Sequence, residues 1–270
     1  MFECVINISE GRNLDLLDDL HVSAGSSLRD LHADPSHNRA VFTLVNNDTS
    51  LGRDVRSLIA AALDTLDLRT HEGVHPRFGV VDVVPYVALD PASPARAEAL
   101  RDDTAQWISD EFKVPVFLYG LIGGRIRTLP EVRKGAFVAL APDHGPPAAS
   151  PRLGAVAVGA RPVLVAWNIW LAGVSRDETR ALVKAVRRPE VRSLAFRTGE
   201  YTQVSCNLID PLVIGPDVVY DEVARRLPVG GSIVRCELVG LVPRAVLDTV
   251  ERGRWEQLGL SANQTIESRL

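Results

Sequence analysis

The chain has 270 residues, 46% of them hydrophobic and 24% charged, with a formal net charge of -4. That composition excludes a disordered or fibrous chain, and 30 scattered basic residues against 34 acidic ones leave no concentrated positive surface for nucleic acid. Cys4, Cys206 and Cys236 cannot all pair within the chain and read as buried thiols in a reducing cytosol; with neither a secretion-type N-terminus nor a run of about 18 apolar residues, no membrane association is expected.

In chain order, residues 3–8 read as a strand and 14–21 as a helix, with a short strand at 29–32. Residues 39–45 alternate as a clearer strand: Val41, Thr43 and Val45 lie on one face, Phe42 and Leu44 on the other. From Leu51 the period changes, and Val55, Leu58, Ile59, Ala62, Leu63 and Leu66 make one apolar helix face. After the stretch HEGVHPRFG at 71–79 comes the strand VVDVVPYVAL, then a helix that Ser93 caps and Pro94 opens. VPVFLYG reads as a strand, 141–152 as a Pro-rich loop, and AVAVGARPVLVAWNIWL as two strands broken near Arg161 and Pro162.

Ser175 and Glu178 have the capping-box spacing, which marks a new helical beginning. The division is therefore placed there, giving domains 1–173 and 174–270. The second part reads as a strand at TQVSCNLID, a helix near VVYDEVARRL, a strand at SIVRCELVG and a helix near Pro243. Strands alternating with helices in both parts predict an α/β (α+β) protein of two subdomains with mixed sheets and outer helices. No sequence repeat is visible, so duplication is a structural expectation only.

His71, Glu72 and His75 reproduce the spacing of the HExxH zinc-protease motif. That chemistry needs both histidines on one helical face. Here Gly73 sits between them, and Pro76 biases the residue before it away from helix. A turn that positions one histidine as a neutral base is the better reading, beside the alternative that both merely make loop hydrogen bonds.

Seven stretches in order resemble the formiminotransferase domain family: NISEG (7–11), DPSHNRAVFTLV (34–45), HEGVHPRFGVVDVVPYV (71–87), VPVFLYG (114–120), VGARPVLVAWNIWL (158–171), QVSCNL (203–208) and ELVGLVP (237–243). The resemblance implies a duplicated ferredoxin-like arrangement whose sheets face one another across a tunnel. It implies transfer of a formimino group from N-formiminoglutamate, or a related small anionic donor, to N5 of tetrahydrofolate. Tetrahydrofolate would be a co-substrate, no metal would be needed, and the protein would be a homodimer.

On the same basis His75 is the general base. Arg39 and Arg77 either bind carboxylates and orient the pteridine or form structural bridges. His37 and Asn38 are candidate pocket residues, as are Asn7 and Glu10, although Glu10 could instead cap a helix. Gly79 is read as supplying backbone room. Asp82 would orient a histidine, bind pterin nitrogens or close a salt bridge. Asn168 and Asn207 would contact substrate or satisfy neighbouring loops, and Trp167 and Trp170 are read as packing residues.

Three departures bear on the donor. Trp170 stands where the family pattern has an amide, Leu121 where many relatives are acidic, and Ser150 where many bacterial relatives have histidine. They leave open a related folate-dependent one-carbon transferase, a 5-formyltetrahydrofolate cycloligase-like enzyme, or a non-catalytic folate-binding protein.

Overall fold

The computed structural model describes every residue except His75 and Pro91. The chain folds as two compact units, Met1–Pro162 and Val163–Leu270. The first runs β1 (Phe2–Ile8), α1 (Leu14–Ser23), β2 (Leu28–Asp34), β3 (Arg39–Asn46), α2 (Asp48–Thr65), β4 (Val81–Ala88), α3 (Pro94–Phe112), β5 (Val116–Ile122), β6 (Arg125–Arg127), α4 (Leu129–Gly135) and β7 (Val156–Ala160). Among the described residues its strands form one sheet in the order β2-β3-β1-β4-β7-β5-β6. The first four pair antiparallel, and β7 joins β4 to β5 in parallel.

Local chemistry sets the helix starts. The side chain of Asn13 accepts from Leu16 N to open α1, and that of Asn47 accepts from Ser50 N to open α2. Ser93 precedes α3 as expected but makes no side-chain capping bond; Pro94, preset for the first turn, starts that helix.

The two faces of this sheet differ. Cys4, Ile6 and Ile8 of β1 join Phe42, Leu44 and Tyr86 in a fully buried core with α1, α2 and α3. Each large side chain buried there contributes about 1.5–3 kcal/mol. On the opposite face Phe117, Tyr119 and Ala157 are covered by Val132, Leu129 and Leu140. Over β1, β3 and β4 that face instead carries Glu3, Asn7, Val41, Thr43, Val45, Val83 and Val87, a polar row among aliphatic residues.

The second unit runs β8 (Val165–Ala172), α5 (Arg176–Val186), β9 (Val191–Thr198), β10 (Tyr201–Leu208), α6 (Pro216–Ala224), β11 (Ser232–Val239) and α7 (Arg244–Leu247). Its antiparallel sheet has the order β11-β8-β10-β9. In both units a βαββαβ run places its first strand between the third and fourth, which is the ferredoxin-like connection. The architecture is thus duplicated without a visible sequence repeat.

The division falls earlier than 173/174. β8 is a central strand of the second sheet, so the break at Pro162 separates the units, while the Ser175 capping box only opens the first helix of the second. Among the described residues no helix is long and apolar enough to cross a membrane.

Candidate active site

Residues 71–74 form no helix; His71 is extended, with φ -93° and ψ 127°, directly after a helical turn over Leu68–Thr70. The single helical face that a zinc HExxH site requires is therefore missing from this part of the motif. The imidazole of His71 is fully engaged. Its Nε2 lies 2.9 Å from the carbonyl oxygen of Asn38, which fixes the proton on Nε2. Nδ1 accepts from Arg77 Nη1, and Arg77 also donates to the carbonyls of His71 at 2.9 Å and Gly73 at 2.7 Å. Burial and the Arg77 charge both lower the pKa of His71, holding the ring neutral. His75 itself lies outside the described residues.

The loop is strapped to the first strand. Ser9 Oγ donates to the Gly79 carbonyl and Ser9 N to that of Val80, both at 2.8 Å. A Cβ on Gly79 would lie 2.1 Å from the Ala155 carbonyl oxygen, so the expected need for backbone room is real. Asn38, buried in the β2–β3 turn at φ 48°, accepts from Gly11 N and donates to the Glu72 carbonyl, each at 2.9 Å. Asparagine is among the few side chains that tolerate this left-handed conformation. Glu10 Oε1 accepts from the N–H groups of Gly11, Arg12 and Asn13 at 2.9, 2.7 and 2.9 Å. Glu10 thus holds the turn that precedes α1 and is not its cap, which is Asn13, while Asn38 and Arg77 bond the backbone of the described part of the 71–79 loop.

Beside them stands a charged group. Asp82, 2% exposed, accepts from Phe78 N at 2.6 Å and from Arg133 Nη2 at 2.5 Å. Arg39 opens β3; burial lowers its pKa, and the carboxylates of Asp82 and Asp34 oppose that shift while Arg133 adds to it. His37 is buried in the same turn, with its backbone N donating to Asp34 Oδ1 at 3.0 Å. Of the alternatives for Asp82, the salt bridge is present. Its partner Arg133 was not anticipated, because α4 carries no sequence signal linking it to β4.

Asn168 and Asn207 belong to the second unit. Asn168 Nδ2 and Trp170 Nε1 converge on Glu237 Oε2, at 3.3 and 2.9 Å, and the Arg235 guanidinium lies 4.5 Å from the Trp170 ring centroid. Asn207 is exposed, opposite Arg192 and Ala166. Gln203, directly opposite Trp170, has no exposure, and neither amide atom has a partner among the described residues. The QVSCNL stretch contains this residue, but a glutamine in an alternating strand carries no sign of burial. Trp167 packs in the core as expected, its Nε1 donating to the Leu258 carbonyl at 2.8 Å.

Comparison with known proteins places these features. Residues 1–161 match a family described as "Formiminotransferase domain, N-terminal subdomain". The chain is 34% identical to the formimidoyltransferase-cyclodeaminase of Gallus gallus, covering 93% of this chain and 52% of that protein. It is 31% identical to the glutamate formimidoyltransferase of Streptococcus pyogenes serotype M1, over 92% of this chain and 91% of the relative. Against the glutamate formimidoyltransferase of Thermoplasma acidophilum identity is 29%, covering 100% of this chain and 97% of the other. The chain thus spans about half the length of the cyclodeaminase relatives.

Proposed function

Because the chain belongs to the formiminotransferase family, we propose that it transfers a formimino group from N-formiminoglutamate to N5 of tetrahydrofolate, with His75 as general base. N5 attacks the formimino carbon and becomes cationic. His75 takes the N5 proton, the carbon–nitrogen bond to glutamate breaks, and the same imidazolium protonates the departing nitrogen. The products are 5-formiminotetrahydrofolate and glutamate, so tetrahydrofolate is a co-substrate. A positioned base of this kind contributes about 10²- to 10⁴-fold.

One observation supports the choice of base. Both ring nitrogens of His71 are engaged, by Asn38 and Arg77, so the motif's first histidine has no lone pair to offer substrate. The test is product formation from tetrahydrofolate and formiminoglutamate, following glutamate release and the folate spectrum together. The reading requires both products in equal amounts and dependence on both substrates; glutamate release without folate, or no turnover by folded protein with intact reduced folate, would reject it.

A second reading keeps the folate and changes the donor. Its support is Trp170, an indole bonded to the Glu237 carboxylate, standing where the family pattern has an amide. Turnover with another amine or amidine but not with formiminoglutamate would select it.

A further inference from the structure

Burying an ionisable or polar group without a hydrogen bond is costly, and native proteins retain such groups where a ligand or water completes them. The sheet face of the first unit that turns away from α1, α2 and α3 holds two. Glu3 is 4% exposed, yet its carboxyl accepts no hydrogen bond and closes no salt bridge with any described residue. Thr43 is fully buried, and its Oγ1 is likewise unpartnered.

These groups are neighbours. Val5 of β1 lies opposite Thr43 of β3, and Glu3 opposite Val45, so Glu3 and Thr43 are diagonal on one face, about 7–8 Å apart. Asn7 continues the row, its Nδ2 donating to the Val5 carbonyl at 3.2 Å. Ser9, two residues on, anchors the 71–79 loop. The row therefore starts at Glu3 and runs toward the loop that carries the proposed base.

Resting on the formiminotransferase reading, we propose that Glu3 and Thr43 recognise the pyrimidine edge of a reduced pterin. The Glu3 carboxylate accepts from the exocyclic 2-amino N–H and from N3–H, and the Thr43 hydroxyl donates to the 4-oxo group. That edge presents donor, donor and acceptor in sequence, and paired acceptors beside a hydroxyl complement it. Burial raises the Glu3 pKa to about 7 against the opposing pull of Arg161, so the carboxyl is poised to ionise when donors arrive. Its direct cross-strand neighbours, Val45 and Val87, are apolar, and burial raises the nearby Cys4 and Tyr119 well above neutrality.

The test measures dissociation constants of 6-methyltetrahydropterin and its analogue lacking the 2-amino group, under anaerobic conditions. Wild type is expected to prefer the 2-amino compound by about 10- to 100-fold. Glu3→Gln should abolish that preference by weakening the 2-amino compound far more than the analogue, which loses only the charge on its N3–H acceptor, whereas Thr43→Val should weaken both compounds equally, since both keep the 4-oxo group. A folded Glu3→Gln protein with the wild-type preference overturns the proposal. If Glu3→Gln does not fold, Thr43→Val decides, and unchanged binding of both pterins overturns it. If wild type binds neither pterin nor tetrahydrofolate, the formiminotransferase reading falls as well; if wild type still turns over formiminoglutamate, only the pterin contacts are lost.

Discussion

Arg77 grips His71 at two points, its guanidinium donating to both the ring Nδ1 and the backbone carbonyl. This contact, with the bond from Arg77 to the Gly73 carbonyl, holds the described part of the 71–79 loop in one shape. Replacing Arg77 by Ala removes all three bonds and one cause of the depressed His71 pKa. The expected result is an upward move of the His71 titration followed by NMR, together with about 10²-fold lower kcat from misplacement of the neighbouring base. An unmoved titration and wild-type turnover would show that the loop holds without this clamp.

Glu3 links the proposed pterin contact to stability. Its folded pKa of about 7 lies above the ordinary carboxylate value of 4.5, so between those values the folded state binds more protons than the unfolded state. Stability from this group is therefore fully present below about 4.5 and is lost as pH rises through about 7, by roughly 3 kcal/mol in all. Glu3→Gln has no such titration. Thermal melts should show the Gln variant gaining on wild type from pH 5 to pH 8; parallel melting curves across that range would contradict the burial argument.

Gln203 leaves two buried amide atoms unpartnered beside Trp170. Leucine is close in volume and has nothing to satisfy. Gln203→Leu should raise stability by about 1–3 kcal/mol in denaturant unfolding. Lower stability would mean that the amide is satisfied in solution.

Gly79 is a matter of backbone distance. A methyl group there meets the Ala155 carbonyl oxygen at 2.1 Å, and that backbone cannot move aside as a flexible side chain would. Gly79→Ala should destabilise the first unit by about 1–3 kcal/mol and weaken hydrogen-exchange protection at Val80 and Ala155, whose N–H groups bond across this junction. Normal protection at both amides would rule out the clash.

Periodicity exposed most of the fold, because the α2 face and the β3 alternation are strong local signals. It missed β9, where Arg192 and Arg197 interrupt the apolar pattern, and α4, a helix of seven residues. The unit boundary was misplaced because a capping box announces a helix and carries no information about which sheet owns the strand before it. The site was only partly legible. The motif stretches pointed to the 71–79 loop, but Glu10, Asn38 and Arg77 turn out to hold backbone, a role that depends on partners distant in sequence. Glu3 and Thr43 gave no signal, since an acid or hydroxyl on an alternating strand normally faces water, and only the burial of that face gives them meaning.

The most direct test of the central claim compares single-turnover formimino transfer in His75→Ala and wild type, with tetrahydrofolate affinity measured on the same samples. The account predicts that His75→Ala keeps its fold and binds the folate with near wild-type affinity while losing most of the transfer rate. A His75→Ala protein that transfers the formimino group at the wild-type rate would contradict it and move the base elsewhere.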